Sequence, residues 1–402
     1  MRANTFAIAT PRSHAIRVAL ADLRWPVDPA LASGRDEATV ARMLYATPLR
    51  TDEREQVVPG LCTDWSASDG FRLWRFRCRN APEIAAELRR VARLQASPAH
   101  WIFAAARKIV APTPRTLVIR LSSAWRRFPY ALTVVAAAPR GVPGPFRLVY
   151  GSGTRIVLRR NGVTLVFRRL SGLAALSAFK RGEVDESPVP LGDMGNFRSQ
   201  PRLLHVRPLL TLDAVEFRDN RIPTNVRRAY WQTADRADYQ TLIPENHAVA
   251  ALGVTGTVGR TDPAAFRRAM HSIPSLPPLV VRIAVPTDPT LRYGARILYA
   301  QWRELGLGPM LVSAAQHADA DFVRVTAAYP QPEALLGALR VPTALGKDDQ
   351  QAAFAGLDAR LRRTATVIPI CWVADARLVS PALIGWREDV LGNVDYTRVR
   401  VR

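Results

Sequence analysis

Apolar residues recur along this chain with two different spacings. Residues 15–21 form a short apolar run and residues 116–121 alternate apolar with polar positions, which are patterns typical of strands. Residues 36–45 and 81–94 repeat apolar positions every three or four residues, which predicts helices. Because strands and helices alternate in this way to the end of the chain, we predict an α/β fold with mixed sheets.

The same two patterns predict the elements of the middle and the second half of the chain. Further strands are predicted at 146–150, 155–160, 164–168, 214–217, 280–285, 321–326 and 367–373. Further helices are predicted at 171–180, 225–236, 290–305, 332–339 and 350–364. Residues 274–278, which contain three prolines, predict a linker.

The charge of the chain is strongly positive. Lysine and arginine total 56 against 34 aspartates and glutamates, a formal net charge of +22, and only Lys108, Lys180 and Lys347 are lysines. The arginines stand singly along predicted strands and helices rather than in a dense basic block, which favours solvated faces over a nucleic-acid site. We therefore predict no specific nucleic-acid partner, and keep a protein that binds anions through its net charge as a lesser hypothesis.

Sequence motifs for catalysis, metals and cofactors are missing from the chain. The six histidines stand in isolation, and neither a GxSxG elbow nor a GxxxxGK[ST] loop occurs. Gly253, Gly256 and Gly259 have a spacing that differs from the dinucleotide fingerprint, and they predict a loop. The sequence therefore predicts no enzyme activity, no cofactor and no metal site.

Two of the three cysteines flank a predicted hairpin. Cys62 lies directly opposite Cys78 if the turn is a three-residue loop centred on Gly70, and a disulfide can then bridge them. A register slip of one residue would place the two on opposite faces, so a pair of unbonded buried thiols remains the alternative. A disulfide would indicate an oxidising compartment. Cys371 is predicted to be a small buried residue beside Trp372.

Short motifs follow one another in a fixed order along nearly the whole chain. They lie at residues 27–30, 47–49, 58–65, 74–79, 144–148, 174–185, 225–236, 300–307, 328–332 and 382–396. In this order they resemble the extracellular solute-binding proteins of family 5, the peptide-, oligopeptide- and nickel-binding components of ABC importers. The chain resembles a shortened member, because residues 247–275 span less sequence than the family has there.

This resemblance implies a two-lobed periplasmic-binding-protein-like fold of the type II, peptide-binder class. The lobes would be joined by a hinge of crossing strands near 205–211 and 367–371. Lobe one would comprise residues 1–208 and 371–402, and lobe two residues 209–370.

The implied function is the capture of a peptide-like or other small solute between the lobes by hinge closure, for delivery to an ABC-transporter permease in the membrane. The implied ligand-binding positions are Arg24, Trp25, Ser187, Val189, Tyr329 and Gln331. Ala328 stands where the family's peptide binders have an acid for the ligand's α-ammonium, which makes free-amine peptides less suitable ligands. The alternative is a degenerate relative with a filled cleft that acts in protein–protein interaction or regulation.

The resemblance also implies an exported, periplasmic or extracellular monomer. No apolar segment reaches the roughly 20 residues that span a bilayer. The apolar run at residues 6–9 is too short for a signal-peptide core, so three alternatives stay open: the signal was removed, the start codon lies downstream of it, or the protein stays inside the cell.

Overall fold

The computed structural model describes residues 15–190, 193–218, 221–242, 248–259, 261–339 and 350–402. The apolar run at residues 6–9 lies outside the described residues, and so do His14, His247 and Lys347.

Strands and helices alternate along the described chain. The strands are β1 (Ala15–Leu20), β2 (Leu49–Thr51), β3 (Val57–Pro59), β4 (Cys62–Ser68), β5 (Leu73–Cys78), β6 (Ala106–Thr113), β7 (Thr116–Leu121), β8 (Arg147–Gly151), β9 (Arg155–Arg160), β10 (Val163–Arg169), β11 (Glu186–Pro188), β12 (Leu204–Phe217), β13 (Val249–Ala250), β14 (Val281–Val285), β15 (Pro309–Ser313), β16 (Ala320–Thr326), β17 (Val367–Val379), β18 (Leu383–Ile384) and β19 (Arg400–Val401). The helices are α1 (Arg35–Leu44), α2 (Ala81–Arg93), α3 (His100–Ala104), α4 (Phe128–Ala131), α5 (Gly172–Lys180), α6 (Thr224–Thr233), α7 (Arg236–Leu242), α8 (Pro263–Ser272), α9 (Pro289–Glu304), α10 (Glu333–Ala338) and α11 (Gln350–Thr364).

The chain forms two compact units. The first comprises residues 1–207, 328–330 and 376–402, and the second residues 208–327 and 331–375. The long strands β12 and β17 carry the chain from one unit into the other. Residues 328–330 and 371–375 group differently from the sequence prediction, which put the former in lobe two and the latter in lobe one.

The first unit contains a mixed sheet in the order β17-β11-β1-β10-β9-β8 and an antiparallel sheet in the order β4-β5-β7-β6. Strand β1 pairs with the parallel neighbours β10 and β11, and its two faces pack into two apolar clusters, Ile16 and Val18 in one and Ala19 in the other. Helix α1 packs its apolar side chains Val40 and Met43 into the same core as Ile16 and Val18.

The second unit has its own hydrophobic core. Its strand order is β15-β14-β16-β12-β17, and β13 pairs with β17. Strands β14 and β15 are parallel and are connected through α9, a βα unit that the sequence predicted at 280–305. Large aromatic side chains fill the core, with Tyr230 against Trp302 at 4.9 Å between ring centroids.

Most predicted elements lie within about a residue of the bounds that the structure shows, but two strands and one helix differ more. The strands predicted at 214–217 and 367–373 are parts of the longer strands β12 and β17. Strands at 116–121 and 155–160 and the helix at 350–364 are confirmed. The single helix predicted at 225–236 is wrong, because α6 ends at Thr233 and α7 begins at Arg236. Ala234 is extended there, and the Arg236 side chain turns inward to donate to backbone carbonyls, including Trp231 O.

Candidate functional site

Four of the predicted ligand-binding residues lie on strand β11 or in the segments that follow strands β1 and β11. Strands β1 and β11 are parallel, with Val18 paired to Glu186. Both strands therefore end on the same side of the sheet, but the Trp25 ring lies against Gly151 of β8, three strands from β1 and on the side away from β11.

Arg24 already has acidic neighbours. Its guanidinium lies 3.2 Å from Glu37 and 3.7 Å from Asp22, and its side chain is 70% exposed. Its charge is thus partly countered within the protein, which weakens the case for Arg24 as the partner of an anionic ligand group.

Trp25, Ser187 and Val189 are held by local packing and local hydrogen bonds. The Trp25 ring lies so close to Gly151 that a Cβ there would be 2.3 Å from the ring. Ser187 is fully buried and its hydroxyl donates to the Pro188 carbonyl at 2.9 Å. The Val189 N–H donates to a carbonyl of β17. These contacts hold the three residues in place, and their ligand-binding role stays a prediction.

Tyr329 lies in a cluster of aromatic rings of the first unit. Its ring centroid is 6.4 Å from those of Trp101 and Trp125 and 6.5 Å from that of Tyr130. Trp125 in turn meets Phe128 edge-on at 5.4 Å. Trp101 comes from α3, Trp125 from the loop after β7 and Phe128 from α4, so three separate elements build the cluster. We call these five residues the aromatic cluster: Trp101, Trp125, Phe128, Tyr130 and Tyr329.

Two indole nitrogens of the aromatic cluster have no hydrogen-bond partner among the residues that the structure describes. The indole nitrogens of Trp101 and Trp125 are buried, and neither has an acceptor among the described residues. A buried N–H without an acceptor costs about 1–3 kcal/mol. The cluster thus combines ring faces with two donors that a bound molecule or a water could satisfy.

The sequence motifs place Tyr329 among the candidate ligand-binding residues, but they do not indicate Trp101 or Trp125. Tyr329 was identified through a motif resemblance, whereas Trp101 and Trp125 follow no pattern that distinguishes them from core aromatics. Gln331 belongs to the second unit, where its carbonyl accepts from the Ala334 N–H at 3.0 Å. Its role as a ligand-binding residue also stays a prediction.

Reactive and metal-binding groups are not gathered into a site in the part of the chain that the structure describes. No group of three or more His, Cys, Asp or Glu side chains could hold a metal ion there. Cys371 is fully buried, and burial raises the pKa of its thiol to about 12, which keeps it protonated and unreactive at neutral pH. Burial likewise lowers the pKa of His205, which packs on Trp386 at 4.9 Å. In the described helices, none combines the length and apolar character that a membrane span requires.

The hairpin of strands β4 and β5 has a different turn from the one that the sequence predicts. Ser68 pairs with Leu73, so the turn is not the three-residue loop that we assumed. A bulge between Cys62 and Asp64 then shifts the register by one residue and brings Cys62 opposite Cys78. The two sulfur atoms are bonded in the structure, at 2.04 Å.

A thiol count tests whether this bond forms in the isolated protein. We expect one thiol per chain, that of Cys371, to react with a thiol reagent in denaturant, and three after reduction. Denaturant is needed because Cys371 is buried. Three reactive thiols before reduction would show that the bond is absent and would remove this support for an oxidising compartment.

Comparisons with known proteins give matches of structure and not of sequence. No protein-family model and no curated protein matches the chain. The murein tripeptide binding protein MppA of Escherichia coli matches with a TM-score of 0.81 at 17% identity, covering 98% of this chain and 99% of that one. OppA of Haemophilus influenzae, solved in complex with RPPGFSPFR, matches with a TM-score of 0.80 at 14% identity, covering 98% and 100%.

A third match comes from a smaller-ligand binder. A dipeptide binding protein from a Pseudoalteromonas species, solved in complex with Met-Leu, has a TM-score of 0.79 at 12% identity and covers 96% of this chain and 100% of that one. These structures are of binding proteins rather than enzymes. The predicted fold is confirmed: over nearly its whole length, this chain has the α/β fold of the two-lobed periplasmic oligopeptide-binding proteins, as its motifs indicated.

Proposed function

We propose that this protein is the substrate-binding component of an ABC importer and that it binds a peptide-like or other small solute. The observation that carries the proposal is the fold match over 96–98% of the chain to several proteins whose structures contain or are named for bound peptides. The match supports a solute-binding role and gives no support to the alternative of a regulatory relative with a filled cleft.

The aromatic cluster supports a ligand with flat or apolar side groups and at least one hydrogen-bond acceptor. Trp101 provides a partly exposed ring beside Tyr329, and the indole N–H groups of Trp101 and Trp125 are donors that find no acceptor among the described residues. A peptide backbone offers carbonyl acceptors next to apolar side chains, which fits this combination. Because Ala328 supplies no carboxylate, an N-blocked peptide fits this proposal better than one with a free α-ammonium.

The proposal includes export and a membrane permease as the partner that receives the ligand. Support comes from the neighbours, one of which is named as a periplasmic protein and another as part of an oligopeptide ABC transporter. Enclosure of the ligand by hinge closure is part of the sequence prediction and stays a prediction.

Native mass spectrometry of the protein purified from its own host tests ligand binding. We expect a fraction of the protein to carry an additional small-molecule mass that is released in denaturant. The Trp101→Phe variant keeps the ring but removes the indole donor, and we expect it to lower the bound fraction about tenfold because a buried hydrogen bond to the ligand is lost. Thermal-shift assays with Met-Leu and N-acetyl-Met-Leu measure the preference for a blocked amine.

Trp65→Phe is the matched control, because Trp65 is a partly buried tryptophan of strand β4 outside the aromatic cluster. It should leave the bound fraction within twofold of the unmodified protein. Equal losses in the two variants would contradict the role of the aromatic cluster. A protein that carries no additional mass and is stabilised by neither dipeptide would contradict the proposed function.

A further inference from the structure

The first unit contains a cavity of about 650 Å³ that is separate from the predicted ligand-binding residues. Its walls are the end of α1, the β2–β3 hairpin and the C-terminal segment that contains residues 385–398. Neither the aromatic cluster nor Arg24, Trp25, Ser187 and Val189 line it. Its apolar wall includes Leu61 and Trp386.

The carboxylates of this cavity all have partners within the protein. They are Asp52, Glu53, Glu55, Glu388, Asp389 and Asp395. Glu53 pairs with Arg387 and Arg398, and Glu55 pairs with Arg207 at 2.9 Å. Each remaining carboxylate accepts from an arginine or from backbone N–H groups of its own loop. The negative charge of the cavity is therefore already engaged.

Four arginines of the same cavity are not engaged in this way. Arg42 comes from α1, Arg50 from β2, Arg79 from the residue after β5 and Arg160 from the end of β9. In the part of the chain that the structure describes, none of the four forms an ion pair. Arg50 donates to the Pro59 carbonyl at 3.2 Å, and the contact from Arg160 to the Thr397 carbonyl is 3.5 Å, which is at the limit of a hydrogen bond.

Arg42 has a buried guanidinium group that its protein neighbours satisfy poorly. Its Nε is buried and lacks an acceptor among the described residues, and its one hydrogen bond, to the Thr133 carbonyl, is long at 3.4 Å. Burial lowers the pKa of Arg42, and only the more distant Asp389 and Asp395 oppose this. A desolvated guanidinium without an acceptor is unfavourable, and an oxyanion that accepted its N–H groups would offset that cost.

We propose that this cavity is a second binding site of the first unit and that it takes a small polyanion bearing carboxylate or phosphate groups, held by Arg42, Arg50, Arg79 and Arg160. Guanidinium groups suit such a ligand because each offers paired N–H donors that match the two oxygens of a carboxylate or phosphate. Four arginines from four separate elements favour a ligand with more than one anionic group. The site is independent of the proposed importer function, since none of its residues belongs to the aromatic cluster.

Isothermal titration calorimetry of the full chain with pyrophosphate and with citrate, in 0.15 M salt, tests the proposal. We expect saturable binding of one anion per chain, and the stronger of the two probes identifies whether phosphate or carboxylate chemistry is preferred. Arg79→Gln and Arg160→Gln should each weaken binding at least about tenfold, because each removes charge-assisted hydrogen bonds. Arg79 is exposed, so its substitution leaves the core intact.

Arg75→Gln is the matched control. Arg75 is an exposed arginine of β5, four residues before Arg79, and it does not line the cavity. The Arg75→Gln variant removes the same charge from a nearby position and should change affinity less than twofold. A loss in Arg75→Gln as large as in Arg79→Gln would show non-specific attraction to the net charge and would overturn the site. Absence of saturable binding of both anions would overturn it as well.

Discussion

Asp213→Ala is expected to lower the free energy of unfolding of the second unit by about 3–5 kcal/mol, because it leaves the partly buried Arg324 guanidinium and the buried Tyr239 hydroxyl without their common acceptor. Asp213 lies on β12 and is fully buried. Its carboxylate accepts from Arg324 Nε at 2.7 Å and from Arg324 Nη2 at 2.8 Å. The Tyr239 hydroxyl donates to the same carboxylate at 2.7 Å.

The charge of Asp213 raises the pKa values of both of its partners, Arg324 and Tyr239. Burial by itself would lower the pKa of Arg324, and the charge of Asp213 reverses this and holds it above its ordinary value. Burial raises the pKa of Tyr239, and the negative charge of Asp213 raises it further. Removing Asp213 therefore leaves the partly buried Arg324 guanidinium without its charged partner and the Tyr239 hydroxyl without its acceptor.

Differential scanning calorimetry of the intact protein measures this effect, and we expect the transition of the second unit to fall by roughly 10 °C. Hydrogen exchange in peptides from β12 and β16 localises the change to that sheet. The Asp213→Asn variant separates charge from shape, because it keeps the size of the side chain and removes its charge. We expect it to show most of the destabilisation of Asp213→Ala.

Asp321→Ala is the control, because Asp321 also accepts two hydrogen bonds from one arginine of the same strand pair. Its contacts with Arg218 are 2.6 and 2.8 Å, but both side chains are partly exposed, at 21% and 35%. An exposed pair of this kind contributes up to about 1 kcal/mol. If Asp213→Ala destabilises the protein no more than Asp321→Ala, burial does not determine the strength of the Asp213 pair.

The fold was largely predictable from the sequence where side chains alternate clearly with the spacing of one element. Strand β7 alternates buried with partly buried or exposed residues, and its predicted bounds are those of the structure. Strand β6 was missed, because Arg107 and Lys108 stand at its start and Pro112 near its end, and its place follows from pairing with β7 rather than from its own pattern. The inward turn at Arg236 could not be predicted either, because it depends on carbonyls such as Pro369 O that are distant in sequence.

The candidate sites were predictable only where an order of motifs pointed to them. Tyr329 was found in this way, but its neighbours Trp101 and Trp125 are brought to it by tertiary packing, more than 200 residues away along the chain. The arginines of the cavity are indistinguishable in sequence from the many other arginines of a chain with net charge +22. Arg42, Arg50, Arg79 and Arg160 differ from the other cavity arginines because they form no ion pair with any described residue, which only the arrangement of the surrounding carboxylates reveals.

Glu186→Ala is expected to have an effect of similar size on the first unit, a loss of about 3–5 kcal/mol in the free energy of unfolding. Glu186 begins β11 and is 1% exposed. One carboxylate oxygen accepts from the Tyr396 hydroxyl at 2.6 Å and from the Trp386 indole nitrogen at 2.7 Å. The other lies 3.4 Å from the guanidinium of Arg377, which is itself buried.

This carboxylate links the C-terminal segment to the central strands of the first unit. Trp386 and Tyr396 belong to residues 380–402, and Glu186 pairs with both β1 and β17. Burial raises the pKa of Tyr396 strongly and the charge of Glu186 raises it further, so the hydroxyl stays a donor at all ordinary pH values. Without Glu186, the buried Tyr396 hydroxyl and the partly buried Trp386 indole lose their acceptor, and Arg377 loses one of its acidic neighbours while Asp36 stays at 3.5 Å.

Glu186→Gln distinguishes hydrogen bonding from charge in this cluster. Its amide oxygen still accepts from one or both donors, while the charge that faces Arg377 is lost, so we expect a destabilisation smaller than that of Glu186→Ala. Calorimetry of the intact protein gives the size of both effects. Hydrogen exchange in peptides from residues 380–402 shows whether the C-terminal segment loosens first, as the loss of its two anchors predicts.

Glu183→Ala is the control for this prediction, because Glu183 lies three residues earlier and also pairs with arginines. Its partners Arg181 and Arg168 are at 2.6 and 3.5 Å, but the side chain is 40% exposed. Solvent screens such a pair, so its removal should leave the transition temperature unchanged within error. If instead both variants unfold at the temperature of the unmodified protein, Glu186 does not hold the C-terminal segment, and other contacts, such as the packing of Phe167 against Tyr396 at 5.8 Å and the pairing of Arg398 with Glu53, anchor it.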